Sequence, residues 1–100
     1  MRIDPAIALF SALGVTTRLV VFQRLARHPQ TASQLAREMP IGRTGIVQHL
    51  GELKRLGLVE ATRDGRRQVY SAVPQALAPL AEWLARHQRV PALTYRASKR

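Results

Sequence analysis

The chain has 100 residues, 46% of them apolar, with 16 Lys and Arg against 6 Asp and Glu for a formal charge of +10. This length fits one domain with a modest core, and the apolar content excludes a disordered basic tail. The absence of cysteine excludes disulfides, thiolate metal sites and thiol redox sensing. Fourteen of the cations are arginine, the side chain that grips phosphate and guanine through two parallel hydrogen bonds. No apolar run reaches the roughly 18 residues of a membrane span, and MRIDPAIALF lacks the basic opening of a signal peptide. A cytoplasmic protein with no membrane association is therefore expected.

Asp4 caps a predicted helix over 5–13 that opens on Pro5 and carries the stripe Ala6, Leu9, Phe10, Leu13. Gly14 ends it. Thr16 or Thr17 caps a second helix, 17–28, filled by Leu19, Val20, Val21, Phe22 and Leu25 and stopped by His28-Pro29. Thr31 caps a short third helix, 31–39, with Gln34 as its capping-box partner and Pro40 beyond its end. After the turn at Ile41-Gly42, the spacing of Ile46, Leu50, Leu53 and Leu56 predicts a helix over 43–56, closed by Gly57. LVEATR and RRQVYSA then flank Asp64-Gly65, a hairpin signal over 58–72. A last helix, 75–89, opens near Pro74 and bears Leu77, Leu80, Ala81 and Leu84 before Pro91.

This order, a short helix, a glycine-bearing turn, a second amphipathic helix and a hairpin, reads as a winged helix-turn-helix, mainly α with a small β-hairpin. Residues 1–91 form the predicted domain, for DNA binding and dimerisation, and 92–100 a basic tail.

With Ile46, Leu50 and Leu53 turned inward, Arg43, Thr44, Val47, Gln48 and Gly51 fall on the outer face of the 43–56 helix, and His49 lies beside it. Arg matches guanine, Gln matches adenine, and the Thr and Val methyls suit thymine. Arg63, Arg66 and Arg67 crowd the hairpin tip, where three like charges are costly without an anion, so phosphate or minor-groove contact is expected. The first and last helices offer Ala6, Leu9, Phe10, Leu77, Leu80, Trp83 and Leu84 as a two-helix dimer face; alternatively, both stripes close the monomer core. Two-fold symmetry would match half-sites one helical turn apart. No enzyme activity is expected. The acids Asp4, Glu38, Glu52, Glu60, Asp64 and Glu82 are scattered, no serine has a glycine-flanked nucleophile pattern, and His28, His49 and His87 lack metal-ligand spacing.

The run LAREMPIGRTGIVQHLGELKRLGLVEATRDGRRQVYSA resembles the ArsR family of bacterial winged-helix repressors, and the likeness extends over about residues 5 to 89. Its most specific parts are His49-Leu50 followed by Leu53, Gly57-Leu58-Val59, and the basic hairpin ending in Val69-Tyr70. The resemblance implies a homodimer on a palindromic operator in double-stranded DNA, repressing transcription, with dimerisation through the first and last helices. One metal site of the family would fall at Thr31 and Ser33 and another needs ligands of which only His87 is present, so no metal or other cofactor is expected. The resemblance to the metal-free branch, at Ala81-Glu82-Trp83-Leu84, leaves room for an unidentified small-molecule inducer. Gly42, Val47, Gln48 and Gly51 depart from the family's usual recognition-helix residues, so the operator is not to be borrowed from relatives. Two alternatives stand: an RNA-binding module, because Ile41-Gly42-Arg43-Thr44-Gly45 matches an I-G-x-x-G loop, and a winged-helix protein-interaction module.

Overall fold

A computed structural model describes residues 2–88. The predicted helix end at residue 89, the domain boundary at 91 and the tail 92–100 lie outside the described residues. The elements are α1 (Pro5–Leu13), α2 (Thr16–Arg27), β1 (Gln30–Thr31), α3 (Ala32–Glu38), α4 (Arg43–Arg55), β2 (Val59–Asp64), β3 (Arg67–Ala72), a 3-10 turn (Pro74–Leu77) and α5 (Ala78–His87). This is a winged helix-turn-helix: α3 and α4 form the helix pair, and β2–β3 the wing.

Caps explain several of the helix ends. Asp4 accepts from the Ala6 N–H at 2.9 Å, with Pro5 opening α1. Thr31 and Gln34 form a complete capping box: the Gln34 N–H donates to Thr31 Oγ1 at 3.1 Å, and the Thr31 N–H donates to Gln34 Oε1 at 2.8 Å. Thr31 and Met39 are thus caps, and α3 is shorter than 31–39. α4 ends in a Schellman motif, with Leu58 N–H donating to Leu53 O at 2.9 Å and Gly57 N–H to Lys54 O at 3.0 Å. Gly57 has φ +77, a left-handed conformation that costs glycine little.

Three expectations need correction. Val15, not a threonine, precedes α2, which starts at Thr16 without any side-chain cap and stops at Arg27. The last helix does not run smoothly from residue 75, because Pro79 has no N–H for the carbonyl four residues back and its ring crowds that position. A 3-10 turn therefore comes first, and α5 begins at Ala78 with proline in its first turn. The wing turn is Gly65-Arg66, one residue later than Asp64-Gly65: Asp64 still pairs with Arg67, and only Gly65 has positive φ, the pattern of a II′ turn.

Leu35, Ile46, Leu50, Leu53, Leu58, Val21 and Val59 are fully buried and join α2, α3, α4 and the base of the wing. Burying such a side chain contributes about 1.5–3 kcal/mol, so this cluster is the main stabilising term. Ala6, Leu9, Ala12 and Leu80 close the same core from α1 and α5. The sheet holds one strand the sequence did not announce. β1 adds to β3 through Gln30↔Tyr70 and Thr31↔Val69, giving the antiparallel order β1-β3-β2.

Gln30 is buried, and its Nε2 donates to Glu38 Oε1 at 3.1 Å. Arg24 Nη1 donates to the same oxygen at 2.8 Å, so one carboxylate ties α2, β1 and the end of α3 together. The Gln30 hydrogen bond, with the charge and hydrogen bond of Arg24, holds the Glu38 carboxyl below its ordinary range.

Two predictions follow from this packing. Glu38 has a lower pKa folded than unfolded, so its stabilisation is present above the unfolded value and is lost as pH falls through the folded one. Glu38→Gln should therefore flatten the acid limb of stability against pH, measured by chemical denaturation over a pH series; an unchanged limb would contradict it. In α4, a Cβ on Gly51 would meet open space, whereas one on Gly45 would lie 2.9 Å from Ile41 Cγ2. Gly51→Ala should stabilise by about 0.5–1 kcal/mol through helix propensity, while Gly45→Ala should lose that gain to the clash. Denaturant midpoints of the two variants decide it.

Candidate nucleic-acid interface

α4 is amphipathic, and burial of Ile46, Leu50 and Leu53 fixes its rotation about its own axis. Arg43, Thr44, Val47 and Gln48 are consequently exposed. The wing rises beside it, because β3 is anchored through β1 to the residue that caps α3. Between α3, the start of α4 and the wing lies a groove of about 530 Å³.

The groove gathers residues far apart in sequence. Arg43 and Val47 come from α4, Arg63, Arg66, Arg67, Gln68 and Tyr70 from the wing, and Ser33, Gln34 and Arg37 from α3. Five arginines thus share one concavity. Among the described residues their single carboxylate partner is Asp64, 3.4 Å from Arg67 Nη2 and exposed. Close like charges repel in the free protein, so a polyanion threaded along the groove would relieve the repulsion and accept paired N–H bonds.

The predicted contact residues divide into three groups. Arg43, Val47, Arg63, Arg66 and Arg67 line the groove together. Thr44 and Gln48 are exposed on α4 but outside its lining. His49 is half-buried and faces α2, where its Nδ1 accepts from Arg18 Nε at 3.3 Å. The contact ties the flank of α4 to α2 beside the outer face. One turn on, Glu52 is held below its ordinary range, first by the Arg55 hydrogen bond and then by the charges of Arg55 and Arg18.

Sequence reasoning missed Ser33, Arg37, Gln68 and Tyr70. The outer face of a short helix gives Ser33 and Arg37 an i, i+4 relation that was available as a signal. Gln68 and Tyr70 depend on the strand pairing and had no local signal.

Gly42-Arg43-Thr44-Gly45 is the cap and first turn of α4. No single helix among the described residues is long and apolar enough to cross a membrane.

The proposed dimer face is split. Ala6, Leu9 and Leu80 belong to the monomer core, because α1 and α5 pack on each other over it. Phe10, Leu77 and Trp83 are half-buried, with the Phe10 and Trp83 rings edge to face at 5.0 Å. Leu84 is 44% exposed, as are Ile3 at 59% and Ile7 at 45%. Val15 and Leu19, around the start of α2, and Val47 on α4 are the other large apolar side chains left exposed among the described residues. Asp4 and Arg86 pair at 2.8 Å and clamp the start of α1 to α5.

A helix-turn-helix domain family model matches residues 16–62. The chain is 39% identical over 71 residues to the HTH-type transcriptional regulator Rv2034 of Mycobacterium tuberculosis, a match covering 71% of this chain and 66% of that relative, just under two-thirds of its length. It is 31% identical over 75 residues to the HTH-type transcriptional regulator YgaV of Escherichia coli K12, covering 74% of this chain and 76% of that one. The solved structure of an ArsR-like transcriptional regulator from Rhodococcus sp. RHA1 is similar with a TM-score of 0.75 and 36% identity, over 82% of this chain and 77% of that one. The shared helix pair, the wing and these identities agree: the chain belongs to the ArsR-like family of winged helix-turn-helix transcriptional regulators.

Proposed function

We propose that this chain acts in the cytoplasm as a homodimer that binds a palindromic operator in double-stranded DNA and represses transcription from it. α4 enters the major groove and presents Arg43, Thr44, Val47 and Gln48 to base edges. The wing places Arg63, Arg66 and Arg67 on the flanking backbone or minor groove. The observation that carries this reading is the basic groove, because it brings a helix start and a hairpin tip to bear on one anionic strand. The exposed apolar side chains Ile3, Ile7 and Leu84 support self-association, since apolar surface left open on a small basic protein suits an interaction site. In this arrangement repression is occupancy: a dimer on an operator that overlaps a promoter keeps polymerase out.

The reading is tested on the DNA upstream of the gene by fluorescence anisotropy against scrambled duplex. Arg66→Ala should weaken operator and scrambled DNA alike and reduce the slope of log K against log salt by about one. Arg43→Ala should instead cost about 1–3 kcal/mol of discrimination between them. Equal binding of both duplexes by the unaltered protein would overturn the proposal. For assembly, Leu84→Glu places a charge on this exposed surface without entering the core. Sedimentation should show a shift from dimer to monomer, with loss of two-half-site binding; an unchanged mass would exclude this face as the dimer contact.

A further inference from the structure

Arg43 is the first residue of α4 and projects into the groove, yet its guanidinium is not left to wander. Its Nε–H donates to Ser33 Oγ on α3 at 3.1 Å, across the turn of the helix pair. Both residues are exposed and both line the groove. We propose that Ser33 is a positioning residue for base readout: it holds Arg43 by Nε, so that the two terminal Nη groups face the DNA. The proposal rests on the DNA-interface reading above.

The chemistry of the guanidinium carries the argument. Arg has five N–H donors in one plane, one at Nε and four at the Nη atoms, and guanine O6 and N7 accept two parallel bonds from one edge of it. An edge that includes Nε and the end-on edge made by Nη1 and Nη2 approach guanine from different directions. Occupying Nε removes the first choice and fixes the plane of the second.

The start of α4 needs such a brace. Gly42 caps the helix without a side-chain hydrogen bond. A Cβ on Gly45 would lie 2.9 Å from Ile41 Cγ2, so the turn packs closely on the first helical turn. Ser33 adds a polar tie from α3 at the same place. Arg43 has no carboxylate partner among the described residues that would compete for its donors.

The test measures binding of Ser33→Ala, Ser33→Thr and Arg43→Ala, and of the Ser33→Ala Arg43→Ala double variant, to the operator and to each single-base change in a half-site. Ser33→Ala should lose about three- to tenfold of its discrimination at the same base position that Arg43→Ala affects, part of what a bidentate pair supplies. Affinity for scrambled duplex and the melting temperature should stay level, and Ser33→Thr, which keeps the hydroxyl, should restore discrimination. The double variant should discriminate no worse than Arg43→Ala alone, the mark of two groups acting as one. Discrimination within twofold of the unaltered protein in Ser33→Ala would overturn the proposal. So would tighter operator binding, which would mean that Ser33 restrains Arg43 from the DNA. If the unaltered protein itself fails to discriminate, the fault lies with the DNA-interface reading; if it discriminates and Ser33→Ala matches it, only the role of Ser33 falls.

Discussion

The wing is tied to the helix pair through two residues. Gln30 and Thr31 pair with Tyr70 and Val69 of β3, and Thr31 is at the same time the cap of α3. A hairpin standing alone is marginal in water, so β2 and β3 need a third strand and the core beneath them to keep a fixed direction. Because Thr31 serves both the sheet and the helix, the wing cannot tilt without disturbing the first turn of α3. Gln30, buried and bonded to Glu38, extends the same restraint to the far end of that helix. The basic groove owes its shape to this junction: one wall is the wing, the other is the helix pair, and the two walls meet at Thr31.

Charge and packing are divided between different parts of the molecule. The fully buried residues are all aliphatic, and the ion pairs lie at the surface, where each contributes little. Stability comes from the core, while the arginines of the groove oppose it through mutual repulsion. That opposition falls away when an anion enters. The free protein is thus arranged to be more stable with its partner than without it, and the effect shrinks as salt screens the groove.

Much of this architecture was legible in the sequence, and what was not has identifiable causes. Helical spacing located Ile46, Leu50 and Leu53, and the Thr31–Gln34 box and Gly57 marked helix ends through purely local chemistry. β1 had no such mark, since a two-residue strand is too short to show alternation and exists only because β3 lies beside it. The Asp64-Gly65 signal found the hairpin but not its register, which the pairing of Asp64 with Arg67 decides. For α1 and α5, periodicity identified an apolar stripe but not which flank of it the rest of the chain would cover. Ala6, Leu9 and Leu80 went inward; Ile7 and Leu84 stayed out. In the groove, the arginines were visible as composition, but their convergence with Ser33 and Arg37 is a property of the tertiary fold.

The separation of the two surfaces has a consequence for how a dimer would read DNA. Ile7 of α1 and Leu84 of α5 are exposed away from the groove of α3, α4 and the wing, so the proposed self-association and DNA contact would not compete for the same atoms. α1 packs on α2, and α2 packs on α4, where Arg18 reaches His49. Two α4 helices must lie about 34–36 Å apart to occupy successive turns of one DNA face. Under the proposed dimer, that spacing is set at the α1–α5 surface, remote from every base-reading residue.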